Sequence, residues 1–185
     1  ELIAFAGQQD IANTGTPALA MDIINVNTDM AGFNLSHDHK SDTIDRINLA
    51  VSWADVEHGM DNHSLRKPAM MYRHNQANAE NIAWSVDAQL TSSLGDLKLG
   101  TDGNFQNHNS IITNPTDAEF RVHNINHSER DNLGVFAELN GNFAQWRYQF
   151  GIRHNRIELN SGAVGAMGMM KGSMKMNMDT DMDTD

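Results

Sequence analysis

Apolar and polar residues alternate along much of this chain. In residues 145–153 the large apolar side chains occupy one parity, whereas Arg, Gln and Gly occupy the other. Successive side chains of a β-strand point to opposite faces, so a period of two predicts a strand with one apolar face. The same alternation in residues 133–139, followed by Asn140-Gly141-Asn142, predicts an antiparallel hairpin with a tight turn at those three residues.

Five upstream segments have a related pattern, and the second of them is the least regular. They are residues 2–5, 24–35, 47–53, 82–90 and 96–106. Together with the two segments of the hairpin, they predict about seven strands.

The predicted connections differ in length in a regular way. The short ones are residues 36–42, 92–95 and 140–144, and the long ones are residues 8–20, 57–80, 107–131 and 156–185. Because successive strands reverse direction, all the long connections then lie at one end of the sheet. We predict an all-β fold, a segment of an antiparallel transmembrane β-barrel with short periplasmic turns and long extracellular loops. A soluble β-sandwich is the alternative.

An odd number of strands has a consequence for the domain organisation. Bacterial single-chain barrels have an even number of strands and leave no unpaired edge in lipid. We therefore expect residues 1–185 to be one partial barrel domain of a larger barrel. An eight-stranded barrel with one unrecognised strand is the alternative. The chain starts at Glu1 without a basic or apolar leader, so we expect a removed secretory signal or an internal fragment.

The composition is compatible with a barrel and limits the possible partners. Hydrophobic residues make up only 39% of the chain and the mean hydropathy is -0.51, which is a small supply for a soluble core. A barrel needs apolar residues only at alternate positions, and no run here reaches the roughly 18 apolar residues of a membrane-spanning helix. A net charge of -11 opposes binding to a phosphate backbone, so we expect no nucleic-acid partner.

Histidine and methionine are concentrated in the predicted long loops. With no Cys in the chain, His, Met and carboxylates are the possible metal ligands. The loops carry His58, Met60, His63, Met70, Met71, His74, His108, His123 and His127. His58 and Met60 are two residues apart, so on an extended segment both side chains point to the same side and can meet one ion. Single loop histidines are more often simply solvated.

Residues 162–185 form a Met- and Asp-rich low-complexity segment, which we expect to be an extracellular loop. Seven of the twelve methionines lie in its last nineteen positions, without helical spacing. The candidate ligands there are Met167, Met169, Met170, Met174, Met176 and Met178. Thioethers select Cu(I) and imidazole accepts either copper ion, so a Met/His surface without Cys indicates copper. The alternative is a flexible loop whose methionines and terminal aspartates are incidental.

The remaining histidines and the known catalytic motifs do not indicate a further metal site or an active site. His37 and His39 lie at a predicted short turn, away from the long loops, and we assign them to turn solvation. We place His154 at the end of a strand, as a lumen or rim residue. The chain has no nucleophile elbow, HExxH helix or phosphate-binding glycine loop, so nothing favours an enzyme.

One segment resembles a known family. The run from Trp53 to Arg66, WADVEHGMDNHSLR, resembles a loop segment of TonB-dependent outer-membrane copper receptors, in which D-H-x-M-D-N-[aromatic]-x-L-R is typical. Residues 132–156, with GVFAEL and WRYQFGIRHNR, are similar to the general barrel pattern of TonB-dependent receptors. Glu57 replaces the usual Asp, and His63 stands where an aromatic residue is common. His63 is thus either an added ligand or drift.

The resemblance implies a function that the residues alone do not. It implies that His58 and Met60 match the copper-ligating H-x-M pair, and that a Cys-x-x-x-Met pair in an upstream plug domain completes the site. It further implies contact with outer-membrane lipid and with the TonB complex through an N-terminal region that is not in this sequence. We therefore expect a receptor of the Gram-negative outer membrane that imports copper and catalyses no reaction. The rivals are a receptor for a siderophore or another metal chelate, and a soluble metal-binding β-protein.

Overall fold

The computed structural model describes residues 1–39, 43–67 and 71–166, and their regular structure is entirely β-strand. The strands are β1 (Leu2–Thr14), β2 (Asp22–Asp38), β3 (Ile44–Asp61), β4 (His74–Ser92), β5 (Gly95–Asn114), β6 (Asp117–Phe143), β7 (Trp146–Asn160) and β8 (Gly165–Ala166). The described residues contain no helix that is long and apolar enough to cross a membrane.

The strands form one antiparallel sheet in chain order. β1 to β7 follow one another as hydrogen-bonded neighbours, and the two-residue β8 pairs with β6. Within the described residues β1 and β7 remain open edges, so the sheet does not close into a barrel. The prediction of an all-β sheet of seven strands that does not close on itself is confirmed.

The sheet has one apolar face and one polar face. On β3 the apolar face carries Leu49 and Val51, whose register partners on β4 are Val86 and Trp84. Direct partners in an antiparallel pair share a face, so the apolar surface continues from strand to strand. Among the described residues no hydrophobic side chain is buried, and Ile152 is 74% exposed. A face of this kind requires an apolar solvent, as in a membrane barrel.

The apolar face forms a belt that crosses the strands obliquely. Its members are centred near residue 50 on β3 and near residue 149 on β7, whereas the register places residue 149 level with about residue 44. The belt is therefore displaced by roughly six residues, about 20 Å, between β3 and β7, and most of this displacement falls between β6 and β7.

Polar side chains are paired along the other face. Arg153 of β7 donates to both carboxylate oxygens of Asp102 on β5 at 2.6 and 2.7 Å, two strands away. It crosses β6 at Gly134, where a Cβ would collide with the Arg153 guanidinium. Asn48 donates to Asp87 at 2.9 Å, and Lys98 lies 3.6 Å from the same carboxylate. These pairs make the polar face a connected, water-compatible surface.

Several predicted loops are in fact parts of strands. Residues 107–131 were predicted to be a long loop, but β5 and β6 run through them and only residues 115–116 connect the two strands. β1, β3, β4 and β7 also extend beyond their predicted ends, so the remaining long connections are residues 15–21 and 62–73. The apolar alternation ends where a strand leaves the belt, but backbone pairing does not depend on apolar side chains and continues. We call this end of the sheet the long-connection end.

The predicted turn at Asn140-Gly141-Asn142 is also wrong. These residues lie inside β6, and the turn is at residues 144–145, where Ala144 has a φ of 53°. The pairing of Gly141 with Tyr148 keeps the aromatic rings of β7 on the apolar face. Tyr148 lies against Gly141, where a Cβ would collide with its ring, and donates a hydrogen bond to the Leu94 carbonyl. The glycine provides space for a side chain rather than a turn.

Candidate metal-binding site

His58 and Met60 lie near the end of β3 and share its polar face. The register partners of His58 are Val26 and Ala77, and those of Met60 are Ile23 and Asn75. Both residues are half-buried. Their placement in a predicted loop was wrong, because β3 continues to Asp61. Their shared direction, expected for an extended segment, follows from the strand.

The donor atoms of this pair suit a soft metal ion. Nε2 of His58 is buried and has no hydrogen-bond partner. Leaving such an atom unpaired costs roughly 1–3 kcal/mol, and an unprotonated imidazole nitrogen is a common metal ligand. The thioether of Met60 is a soft donor, so the two residues together favour copper over magnesium or calcium.

The backbone around the pair is closely packed. The register of β2 against β3 shifts between Ile23 and Asn25, which makes Ile24 a bulged residue opposite Met60 and Gly59. Gly59 is buried, and a Cβ there would overlap Asn25 Oδ1 and lie 3.1 Å from Cγ1 of Ile24. Only glycine allows this approach of the two strands between the two candidate ligands.

His63 lies in the turn that follows β3. Its ring meets the ring of Tyr72 edge-on, with centroids 5.2 Å apart. Its Nε2 is buried without a hydrogen-bond partner and lies 3.6 Å from Oδ2 of Asp61, too far for a hydrogen bond. His63 therefore offers one more free imidazole nitrogen at the long-connection end.

Asp61 and Asn62 shape this turn. The Asp61 carboxylate is 1% exposed and accepts hydrogen bonds from the backbone N–H groups of His63 (3.1 Å) and Ser64 (2.9 Å), and from the Ser64 hydroxyl. Burial favours the neutral form of Asp61, but these hydrogen bonds outweigh it and lower the pKa of the carboxyl. The Asn62 amide donates to the Met71 carbonyl and accepts from the Arg73 N–H, both at 2.8 Å, which ties Asn62 to the residues that precede β4.

Among the remaining predicted methionine ligands, Met71 is the one that lies within the described residues. Met71 is 52% exposed, and its sulfur accepts a long contact of 3.6 Å from Arg73. The other candidates, Met70, Met167, Met169, Met170, Met174, Met176 and Met178, lie outside the described residues.

Four other histidines that were predicted to lie in the long loops are not loop residues. His74, His108, His123 and His127 are strand residues, and His127 uses its Nδ1 to contact the Asn126 side chain at 2.9 Å. In residues 1–39, 43–67 and 71–166, no three His, Cys, Asp or Glu side chains are close enough to hold a metal ion. His108 of β5 and His127 of β6 lie at the same level and line one cavity, whereas His74 lies on β4.

The histidines assigned away from the site are also located. His37 and His39 face each other at 6.2 Å between ring centroids, at the opposite end of the sheet. His154 lies inside β7 as the register partner of Val135. It therefore shares the apolar face, so its assignment to the lumen or rim as a strand-end residue was wrong.

Two residues at the long-connection end of the sheet, Asp22 and Arg66, were not predicted from the sequence as part of the site. Asp22 begins β2 and is 2% exposed, and its carboxylate accepts hydrogen bonds from Arg66. Arg66 closes the sequence run that carries the resemblance, but nothing in the sequence links it to a residue 44 positions away.

The family of this chain follows from a sequence match that covers nearly its whole length. The family model described as TonB dependent receptor-like, beta-barrel matches residues 4–177. The chain belongs to the TonB-dependent receptor β-barrel family. The sheet of this receptor chain is accordingly a segment of a transmembrane β-barrel.

A solved structure supports the fold of the receptor chain. The copper transporter OprC matches with a TM-score of 0.71 and 19% sequence identity, over 86% of this chain and 26% of OprC. The receptor chain thus spans about a quarter of that protein, and at this identity the likeness shows the fold. No curated protein matches the chain significantly.

Proposed function

We propose that this receptor segment captures copper at the surface of a Gram-negative outer membrane for TonB-dependent import. The observation that carries the proposal is the His58–Met60 pair, two residues apart on one face of β3, in which Nε2 of His58 is buried and unpaired. The fold is shared with a protein named as a copper transporter, which is consistent with this cargo.

The proposed mechanism is capture followed by gating. His58 and Met60 supply an imidazole and a thioether ligand, and residues of an upstream plug domain complete the coordination, as the family resemblance implies. We further propose that the methionines between residues 167 and 178 raise the local concentration of copper. Rearrangement of the plug, driven through TonB, then releases the ion inward. The polar face of the sheet, with paired charges such as Asp102–Arg153, lines the interior.

The test uses the full-length receptor purified in detergent. Cu(I) affinity is measured by chelator competition for the wild type and for the double variant His58→Ala, Met60→Ala. We expect the wild type to bind Cu(I) in preference to Mg²⁺, and the double variant to lose more than about 100-fold in affinity, because ligand loss exceeds the 10–100-fold effect of supporting residues.

A matched control separates the site from general surface binding. His37→Ala removes an imidazole at the opposite end of the sheet and should leave the affinity unchanged. His63→Ala tests whether the third imidazole contributes. Equal Cu(I) affinity in the wild type and the double variant would contradict the proposal and favour another metal chelate as cargo.

A further inference from the structure

Two buried carboxylates face each other at the long-connection end of the sheet. Asp22 at the start of β2 and Asp61 at the end of β3 are direct register partners, and they are 2% and 1% exposed. Two buried like charges side by side are unfavourable unless each is compensated. Asp61 is compensated within its own turn, by Ser64 and by backbone N–H groups. Asp22 depends on a residue from another connection.

That residue is Arg66, whose guanidinium joins two separate connections. Its Nε donates to Oδ2 of Asp22 at 2.5 Å and its Nη2 donates to Oδ1. The same guanidinium donates to the carbonyl oxygens of Leu19 at 2.7 Å and Thr16 at 3.0 Å. Arg66 belongs to the connection between β3 and β4, whereas Thr16 and Leu19 belong to the connection between β1 and β2.

The geometry is specific to arginine. A planar guanidinium can bind both oxygens of a carboxylate and still direct other N–H groups to two carbonyls, whereas a lysine ammonium cannot. The Thr16 N–H adds a hydrogen bond of 2.7 Å to Oδ1 of Asp22, which orients the carboxylate toward Arg66. The hydrogen bond from Arg66 and that from Thr16 lower the pKa of Asp22 to about 2.

We call the contacts of Arg66 with Asp22, Thr16 and Leu19 the clamp, and it lies next to the candidate copper ligands. Asp22, the carboxylate in this clamp, is the register partner of Asp61. Asp61 directly follows Met60 in the chain, and its carboxylate shapes the turn that carries His63. A shift of Arg66 would therefore let the end of β3 and its turn move relative to β2. We infer that Arg66 is a positioning residue for copper capture, which holds Met60 and His63 in place by clamping the two connections together. This inference rests on the proposed function.

The test compares variants of the full-length receptor in Cu(I) affinity and in copper uptake. Arg66→Gln and Arg66→Lys should each weaken Cu(I) binding by about tenfold or more, because neither side chain can hold all four acceptors. Asp22→Asn should have a similar effect, and the double variant Arg66→Gln, Asp22→Asn should be no weaker than Arg66→Gln alone, since both changes remove one coupled unit. Arg46→Gln, which removes an exposed Arg–Asp pair near the opposite end, should leave the affinity unchanged.

The uptake measurement separates positioning from general stability. We expect the Arg66 variants to raise the copper concentration for half-maximal uptake while the maximal rate and the amount of folded receptor stay near wild type. A lower maximal rate in proportion to the amount of folded receptor, with unchanged affinity, would overturn the inference. So would wild-type affinity in Arg66→Lys. A wild type that binds no copper, or a His58→Ala, Met60→Ala variant that binds it normally, would instead refute the proposed function itself.

Discussion

Substitution of Gly59 by alanine tests the close packing between the two candidate ligands. The new methyl group would overlap Asn25 Oδ1 and lie 3.1 Å from both Asn25 Cγ and Ile24 Cγ1, so rotation of the Asn25 amide cannot relieve every contact. Part of the strain must move β3 away from β2 by a fraction of an ångström, between His58 and Met60. Overpacking of this kind costs about 1–3 kcal/mol. If that strain is relieved by displacing the ligands, Cu(I) affinity falls about 5- to 150-fold, since about 1.4 kcal/mol is tenfold.

The assay is Cu(I) competition on the full-length receptor, with the folded fraction measured by heat-modifiable gel mobility. Gly151→Ala is the matched control, because its Cβ would lie 3.9 Å from the Ala137 carbonyl oxygen, which is an ordinary contact. Asn25→Ala combined with Gly59→Ala removes the overlapping amide and should restore most of the affinity. Wild-type affinity in Gly59→Ala would show that the strands adjust without moving the ligands, and the reasoning would be refuted.

Three further outcomes follow from the described contacts. Val51→Arg on the apolar belt should cost about 2–4 kcal/mol of barrel stability in lipid, whereas Ser52→Arg on the polar face should cost little. Equal losses of folded receptor in the two variants would contradict the assignment of the faces. Asn62→Ala removes the two hydrogen bonds between the Asn62 side chain and the backbone of Met71 and Arg73, about 2 kcal/mol together, and should increase proteolysis of the connection after β3 while the barrel stays folded. Because the folded-state pKa of Asp22 is about 2, below its ordinary 3.8, its stabilising contribution is present above that ordinary value and is lost only as the pH falls toward 2. Hydrogen exchange in the clamped connections should therefore be insensitive to this pair at neutral to mildly acidic pH and should rise in strong acid.

The apolar belt was readable from the sequence because it depends on local chemistry. Side chains alternate between two faces of any strand, so the parity of Leu49, Val51 and Trp84 identifies a half-apolar sheet without knowledge of its partners. The same parity put His58 and Met60 on one side of an extended segment. Counting these local patterns predicted about seven strands, and they correspond to β1 to β7; the two-residue β8 was not predicted.

The extent of the strands could not be read in the same way. Beyond the belt both faces meet polar surroundings, so residues 107–131 have no apolar alternation, yet their backbone groups pair across β5 and β6. The position of the last turn likewise depends on register, because Gly141 is needed opposite Tyr148 and the chain therefore turns three residues later, at Ala144. Register is a property of two strands together.

The sequence by itself determined the fold class, the apolar face and the candidate ligand pair His58 and Met60, because each follows from residue types at short spacing. Only the tertiary structure decided which distant residues meet. It joined Arg66 to Asp22 across 44 positions, opposed two buried carboxylates, and placed His74, His108, His123 and His127 on β4, β5 and β6. These contacts depend on how the strands are aligned and on which backbone carbonyls the turns expose, and neither is encoded at short range.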